Sequence, residues 1–318
     1  FVPAALLLSA TGYGVVGLFV LHGAPDLALT ALVVETLTLI ILVFVLRRLP
    51  EWFPPSRRPL GLRAASTAVS VGIGAFAALF LLVAVLSRTA RPVGPRYIQA
   101  AAEEDAGNVV NAILVDLRAL DTLGEITVLA VAAVGVAALV LTGMEDRTPW
   151  PAETGERQPG RWLASPSTPL PGVRPVLLAV TARILIPTIL VVSVYLLLAG
   201  HAEPGGGFVA GLVAGVAFVL RYLAGGVSEL AAAMPLNPGV FIGGGLGLAV
   251  GSGAAAWLAG GAFLETTVLR ADWPLIGHVE LPTSLFFDLG VFGLVLGLVL
   301  SLIRTLGTSL EEEPGGRR

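Results

Sequence analysis

Glu35 is the residue of this chain whose type and position carry the most chemistry. It sits at the middle of an apolar run covering about residues 27 to 46, where an ionised carboxylate costs roughly 2.5–3.5 kcal/mol on insertion scales and more in simulations. A helix over that run places Ala28, Ala31, Glu35 and Thr38 on one face, with Leu32, Leu37, Ile40, Ile41 and Phe44 mainly elsewhere. The acid therefore shares its face with small residues, and that face should meet protein or trapped water rather than lipid. A carboxyl in such a place can exchange a proton for a monovalent cation. Held permanently protonated, it is instead a hydrogen-bonded strut between helices.

A second group lies in VNAILVDLRALDTLGEITVL, residues 110 to 129. If helical, Arg118, Asp121, Thr122 and Glu125 fall at i, i+3, i+4 and i+7, a polar stripe that could relay a proton or cation. Thr122 and Glu125 also spell a T-x-x-E capping box, and Asp121 suits the same positive helix end. Glu125 is thus open between cap and conduit, while Asp121 reads as a cap or ion pair. Asp116 falls off the stripe and could pair with Arg118 in a turn. Asp26, in the loop HGAPD, follows Pro25 and reads first as a helix-start acid. Asp288 lies one turn into the last apolar run, after Pro282 and four residues past Ser284, where the helix dipole favours it. For both, a place on an ion path is the alternative. Arg221 reads as a snorkelling arginine.

One loop stands out. GHAEPGGGF, residues 200 to 208, contains His201, Pro204, Gly205, Gly206, Gly207 and Phe208. Three consecutive glycines lose much backbone entropy on ordering, which suggests a backbone that another segment approaches closely. No Walker pattern follows, so a phosphate cradle is a poor reading. His201 could sense pH, although one histidine in a turn is more often incidental.

The elements that must position these residues are membrane helices. Of 318 residues, 55% are apolar and 13% charged, against roughly 25% charged in an ordinary soluble domain. Continuous apolar runs fall at about 2–21, 27–46, 64–86, 122–143, 176–199, 207–224, 238–261 and 284–306. With about 20 residues needed per crossing, the fold class is an all-α polytopic integral membrane protein of about eight transmembrane helices, in two four-helix groups. A membrane strand would alternate instead. Glycines four apart (207, 211, 215; 239, 243, 247, 251; 293, 297) mark grooves for close helix packing. The chain starts inside an apolar run without a basic leader, so an upstream part is expected and a signal peptide is not.

Composition also sets exclusions. There is no cysteine and there are three well-separated histidines, His22, His201 and His278, so no metal site and no cofactor is expected. The net charge of −3 offers no surface for nucleic acid. All 19 basic residues are arginines, and 14 of them fall on the side that holds both termini, which the positive-inside rule places in the cytoplasm. Met144 to Pro175 is polar and Pro-rich and reads as a linker; Ala100 to Asn108 reads as a solvated outer loop.

Taken together and in order, these stretches resemble the multisubunit Na+/H+ antiporters of the Mrp (Mnh) type. HGAPDLALTALVVETLTLI (22–40) looks like the hydrogenase-D-like region of the A-type subunit, and NVVNAILVDLRALDTLGEITVL (108–129) like the hydrogenase-E-like region. TARILIPTILVVSVYLLLAGHAEPGGGFVAGLVAG (181–215), with LFFDLGVFGLVLG (285–297), looks like the B-type subunit. The resemblance implies a D-like part over 1–50, truncated at its start, an E-like part over 51–143, the linker 144–175, a B-like four-helix part over 176–307 and a polar tail over 308–318. It implies transported Na+ and H+ rather than an enzyme reaction, a bacterial plasma-membrane location, and partner subunits that include proton-channel subunits and small membrane subunits. In the family, the acids matching Glu35 and Glu125 are held important for antiport, and Pro204 and Phe208 match a Pro and Phe of the B-type loop. His22 stands where an apolar residue would be expected. A purely structural subunit of such a complex, or a membrane-arm subunit of a hydrogenase-like redox complex, are the rival readings.

Overall fold

The computed structural model describes residues 2–46, 59–87, 92–142, 176–234, 236–273 and 277–311. The linker read over Met144 to Pro175 and the tail beyond Glu311 lie outside them. All eight apolar runs are helical: α1 (Val2–Leu21), α2 (Pro25–Leu46), α3 (Leu60–Leu86), α6 (Ala119–Thr142), α7 (Val176–Ala199), α8 (Gly207–Ala233), α9 (Pro238–Leu258) and α10 (Ser284–Glu311). Among the described residues seven helices are long and apolar enough to cross a membrane, and the apolar part of α1, Ala5–Leu21, is shorter. Two short helices, α4 (Gly94–Glu103) and α5 (Val109–Ala112), lie between α3 and α6. A π-helical turn, Ile113–Leu117, follows α5.

The chain forms two units, Leu49–Ile98 and the combination of Phe1–Arg48 with Gln99–Arg318. The smaller unit contains α3, an apolar helix of 27 residues, none of them buried. In the larger unit α10 is central, packing against α9, α8 and α6; α7 packs on α8, and α2 packs on α1 and α8. Phe287, Val291, Leu294, Val295 and Leu300 of α10 are each at most 1% exposed, whereas Phe286 and Leu289 are exposed, so protein covers most but not all of this apolar helix.

Glycine spacing sets the close contacts only in part as expected. Gly207, Gly211 and Gly215 of α8 do face α10, against Asp288, Val295 and Val299. On α9, Gly243, Gly247 and Gly251 face open space, and Gly245 and Gly253 make the approach, to Leu294 and to Leu264 respectively. Glycines are so frequent in α9 that a spacing of four fits more than one phase of the helix.

One loop reading is corrected. Ala100 to Asn108 is no solvated loop: its first part is the end of α4, and Ala101, Ala106 and Asn108 are buried. Two strands, β1 (Val268–Trp273) and β2 (Gly277–Pro282), pair antiparallel, in register from Val268↔Pro282 to Trp273↔Gly277.

Candidate functional site

Glu35 lies ten residues into α2, about 15 Å along its axis from Pro25. Its carboxyl rests on Gly12 of α1, where a Cβ would collide with it. The two helices are joined one residue away by the Tyr13 hydroxyl and the Thr36 Oγ1, 3.2 Å apart. The acid therefore sits half-buried against a neighbouring helix, in a notch that only glycine leaves open. Ala28 and Ala31 share that covered side, whereas Thr38 is exposed.

At the end of the bundle where α2, α5, α8 and α10 all begin, two carboxylates grip the glycine loop. The Gly205 N–H donates to Asp26 Oδ1 (2.9 Å), the Gly206 N–H to the Leu196 carbonyl (2.9 Å), and the Gly207 N–H to Asp288 Oδ1 (2.8 Å). Three successive backbone donors are thus satisfied away from water, as buried polar groups must be. Gly206 adopts φ +99°, a conformation other residues rarely take, and this turns the third donor toward Asp288 at the first turn of α8. The helix end there favours an acid.

Two asparagines complete the clasp. Asn108 caps α5 by accepting from the Val110 and Asn111 N–H groups, and its own amide donates to the Glu203 carbonyl (2.9 Å) and Asp26 Oδ1 (3.3 Å). Asn111 donates to Asp288 Oδ2 (3.4 Å). Asp26, Asn108, Asn111 and Asp288 are each no more than 9% exposed. The sequence reading singled out Asp26, Asp288 and the loop separately and missed both asparagines; N-x-x-N, with the first residue a strong helix cap, was the available signal. The His201 carbonyl accepts from Asn108 N–H (3.0 Å), Pro204 is half-buried, and Phe208 packs on the main core.

The stripe expected over 118–125 does not form. α6 begins at Ala119, so Thr122 lies within its first turn and its hydroxyl donates back to the Leu114 carbonyl (2.6 Å) rather than capping with Glu125. Arg118 leaves the helix (φ −138°, ψ 33°) and pairs with Asp121 at 2.5 Å, both well exposed. Asp116 Oδ1 accepts from Thr266 N–H (2.8 Å). Glu125 is exposed on α6. Arg221 does not snorkel outward but pairs with Glu229 across 3.5 Å.

Outside the spans, Glu104 hydrogen-bonds Asp116. Burial first, then that bond and the charges of Asp116, Glu265 and Glu103, push the Glu104 carboxyl up to about 8. The folded chain keeps a proton that the unfolded chain loses between its ordinary value of 4.5 and about 8. Stability from this group therefore falls as pH rises through that window and is flat above it. Glu104→Gln is expected to flatten that part of the Tm-against-pH curve. An unchanged slope would show that the carboxyl does not hold the proton.

Three family patterns match the chain. One, described as "Domain related to MnhB subunit of Na+/H+ antiporter", covers residues 177–301; the pattern for the D subunit of MBH (MbhD) covers 1–51 and that for its E subunit (MbhE) covers 60–144. A probable K(+)/H(+) antiporter A/B subunit of Rhizobium meliloti (strain 1021) is 32% identical over 95% of this chain and 31% of its own length. The Na(+)/H(+) antiporter B subunit of Bacillus subtilis (strain 168) is 41% identical over 39% of this chain and 85% of its own length. In the solved structure of the Mrp complex from Dietzia sp. DQ12-45-1b, one chain superposes with a TM-score of 0.76 at 33% identity, covering 98% of this chain and 33% of that one. The chain thus spans about a third of the A/B protein it matches along its length. Matched in order by the D-like, E-like and B-like patterns, this multi-pass membrane chain belongs to the Mrp-type family of multisubunit Na+/H+ antiporter proteins, and in it the C-terminal part of the A-type subunit is joined to the B-type subunit.

Proposed function

We propose that this chain is a membrane subunit of a monovalent cation/proton antiporter in which Glu35, with Glu125, lines the ion path. The observation that carries the reading is the Glu35 carboxyl, midway along a membrane helix and lodged against Gly12 of a neighbouring helix. An ionisable group at that depth is rare, costly and ordinarily functional. Glu125 adds to it. A carboxyl exposed on an apolar membrane helix of this chain calls for cover by protein or water, and partner subunits of the complex are that cover. Relatives named for K(+) and for Na(+) both resemble the chain, so the substrate class is a monovalent cation exchanged for H+.

In this reading Asp26 and Asp288, bonded to the glycine loop, have a different task from Glu35. They hold the glycine loop and bind the A-like helices to the B-like helices, with both termini and the arginine-rich loops on the cytoplasmic side and the clasp at the outer end. Glu35→Gln keeps the shape and the hydrogen bonding but removes the titrating charge. In the whole complex, reconstituted in vesicles, this variant is expected to lower cation/proton exchange by about tenfold or more. Exchange at the wild-type rate and pH dependence would remove Glu35 from the path.

A further inference from the structure

Among the described residues one carboxylate outside the clasp is fully buried, and nothing in the sequence reading touched it. Glu229 is 0% exposed, at the end of the bundle opposite the clasp. Its Oε2 lies 3.5 Å from the Arg221 guanidinium, two turns earlier on the same helix. A straight helix would not hold the two in this way. α8 departs from helical geometry at Gly226 (φ 79°, ψ −165°), a conformation for which glycine is the default residue. The preceding Gly225 carries the Glu229 side chain so closely that any Cβ there would overlap its Cβ and Cγ. Two adjacent glycines and a broken helix are thus committed to bringing a carboxylate inside.

Stability alone does not explain this. A buried ion pair commonly contributes no more than apolar residues of similar volume would, and an unbroken helix over 207–233 would keep its backbone bonds. Broken membrane helices are found where the interrupted backbone lines a site or a cavity. About one turn beyond the break, a cavity of about 210 Å³ is lined by Leu230 and Ala231, the residues directly after Glu229, and by Asn237, Leu300 and Arg304. It is large enough for several water molecules and has polar groups to hold them.

We propose that Glu229, with Arg221 as its counter-ion, is a second proton-exchanging site of the translocation path, at the end of the bundle opposite the clasp. The step is a proton transfer: water in the cavity delivers H+ to the carboxylate, the pair with Arg221 loses its charge attraction, and the reverse transfer restores it. Among the described residues the charged groups around it are few. α10 brings Arg304 to the cavity; α9 has no charged residue; Arg183 of α7 is exposed; and the two acids of α2, Asp26 and Glu35, are engaged at the clasp and against α1. The inference rests on the antiport reading and deepens it, by giving the path a port at its other end.

The test uses the assembled complex in vesicles, with E229Q, R221Q and the double variant R221Q/E229Q compared for assembly, exchange rate and pH profile, and with E35Q alongside. E229Q is expected to assemble and lose exchange by about tenfold or more. R221Q moves the pH profile to higher pH, because a neighbouring cation favours the ionised carboxylate. The double variant assembles and stays inactive. Wild-type rate and profile in the double variant would reduce the pair to a structural strut and overturn the proposal. Should E229Q not assemble, infrared difference spectra between acid and alkaline pH decide: a protonated-carboxyl band that shifts in E229D supports the site, and one that does not shift overturns it. Full exchange by E35Q bears on the antiport reading of Glu35 and leaves the infrared result for Glu229 standing.

Discussion

Gly207→Ala is expected to destabilise the chain by about 3 kcal/mol or more, at the upper end of overpacking costs. Helix propensity alone points the other way, since alanine in place of a helical glycine stabilises by about 1 kcal/mol. The two effects differ in sign, so the measurement decides between them. Packing should win because the atoms that a Cβ would strike belong to the main chain of α10 at Asp288. A side chain could swing aside; this backbone is held by the buried face of α10 and by the Gly207 N–H bond to the same residue. Gly243→Ala is the matched control, with no atom within 4 Å of its added Cβ. In the purified chain it should be neutral or slightly stabilising, whereas Gly207→Ala should lower the unfolding temperature and the yield of folded protein. Equal behaviour of the two would mean that α8 and α10 do not meet as closely as described.

The second large effect is expected at Asp288. Its removal in Asp288→Ala leaves the Gly207 N–H and the Asn111 amide buried without acceptors, at about 1–3 kcal/mol for each. Asp288→Asn keeps one oxygen for Gly207, and the Asn111 amide can turn to present its own oxygen to the new NH2 group. Its loss should therefore be well below that of alanine. If the two variants lose the same stability, the carboxylate's charge at the first turn of α8 matters more than its hydrogen bonds. If neither loses stability while exchange disappears, Asp288 acts on the ion path and the clasp assignment fails. Asp26→Ala gives a parallel case at Gly205, tied to Asp288 through Asn108, Asn111 and the loop.

The helices were legible because each crossing is a continuous apolar run, and a run of that length has no other stable form in lipid. Asp26, Asp288 and the glycine triplet were each visible as oddities, but their meeting was not. Gly205 lies 179 residues from Asp26, and Gly207 lies 81 from Asp288, and no local pattern encodes partners so far apart. Asn108 was hidden by its polar neighbours in AAAEEDAGN, which look like a solvated loop although Asn108 is buried. Glu229 was missed for a related reason. The apolar run it belongs to ends at about residue 224, and the acid lies past the kink at Gly226, which sequence periodicity does not reveal. The expected capping box at Thr122 failed because the π-helical turn adds a residue to the preceding backbone and moves the start of α6 back to Ala119.

The notch at Gly12 makes Glu35 the point on which the transport account turns. In the assembled complex, the infrared carboxyl band that disappears in Glu35→Gln identifies this side chain. Its titration is followed with and without Na+ or K+. The account predicts that the band changes with pH and that the cation shifts the midpoint, since proton and cation compete for one carboxyl. A band unchanged by pH and by either cation would contradict it, leaving Glu35 as a fixed strut between α1 and α2.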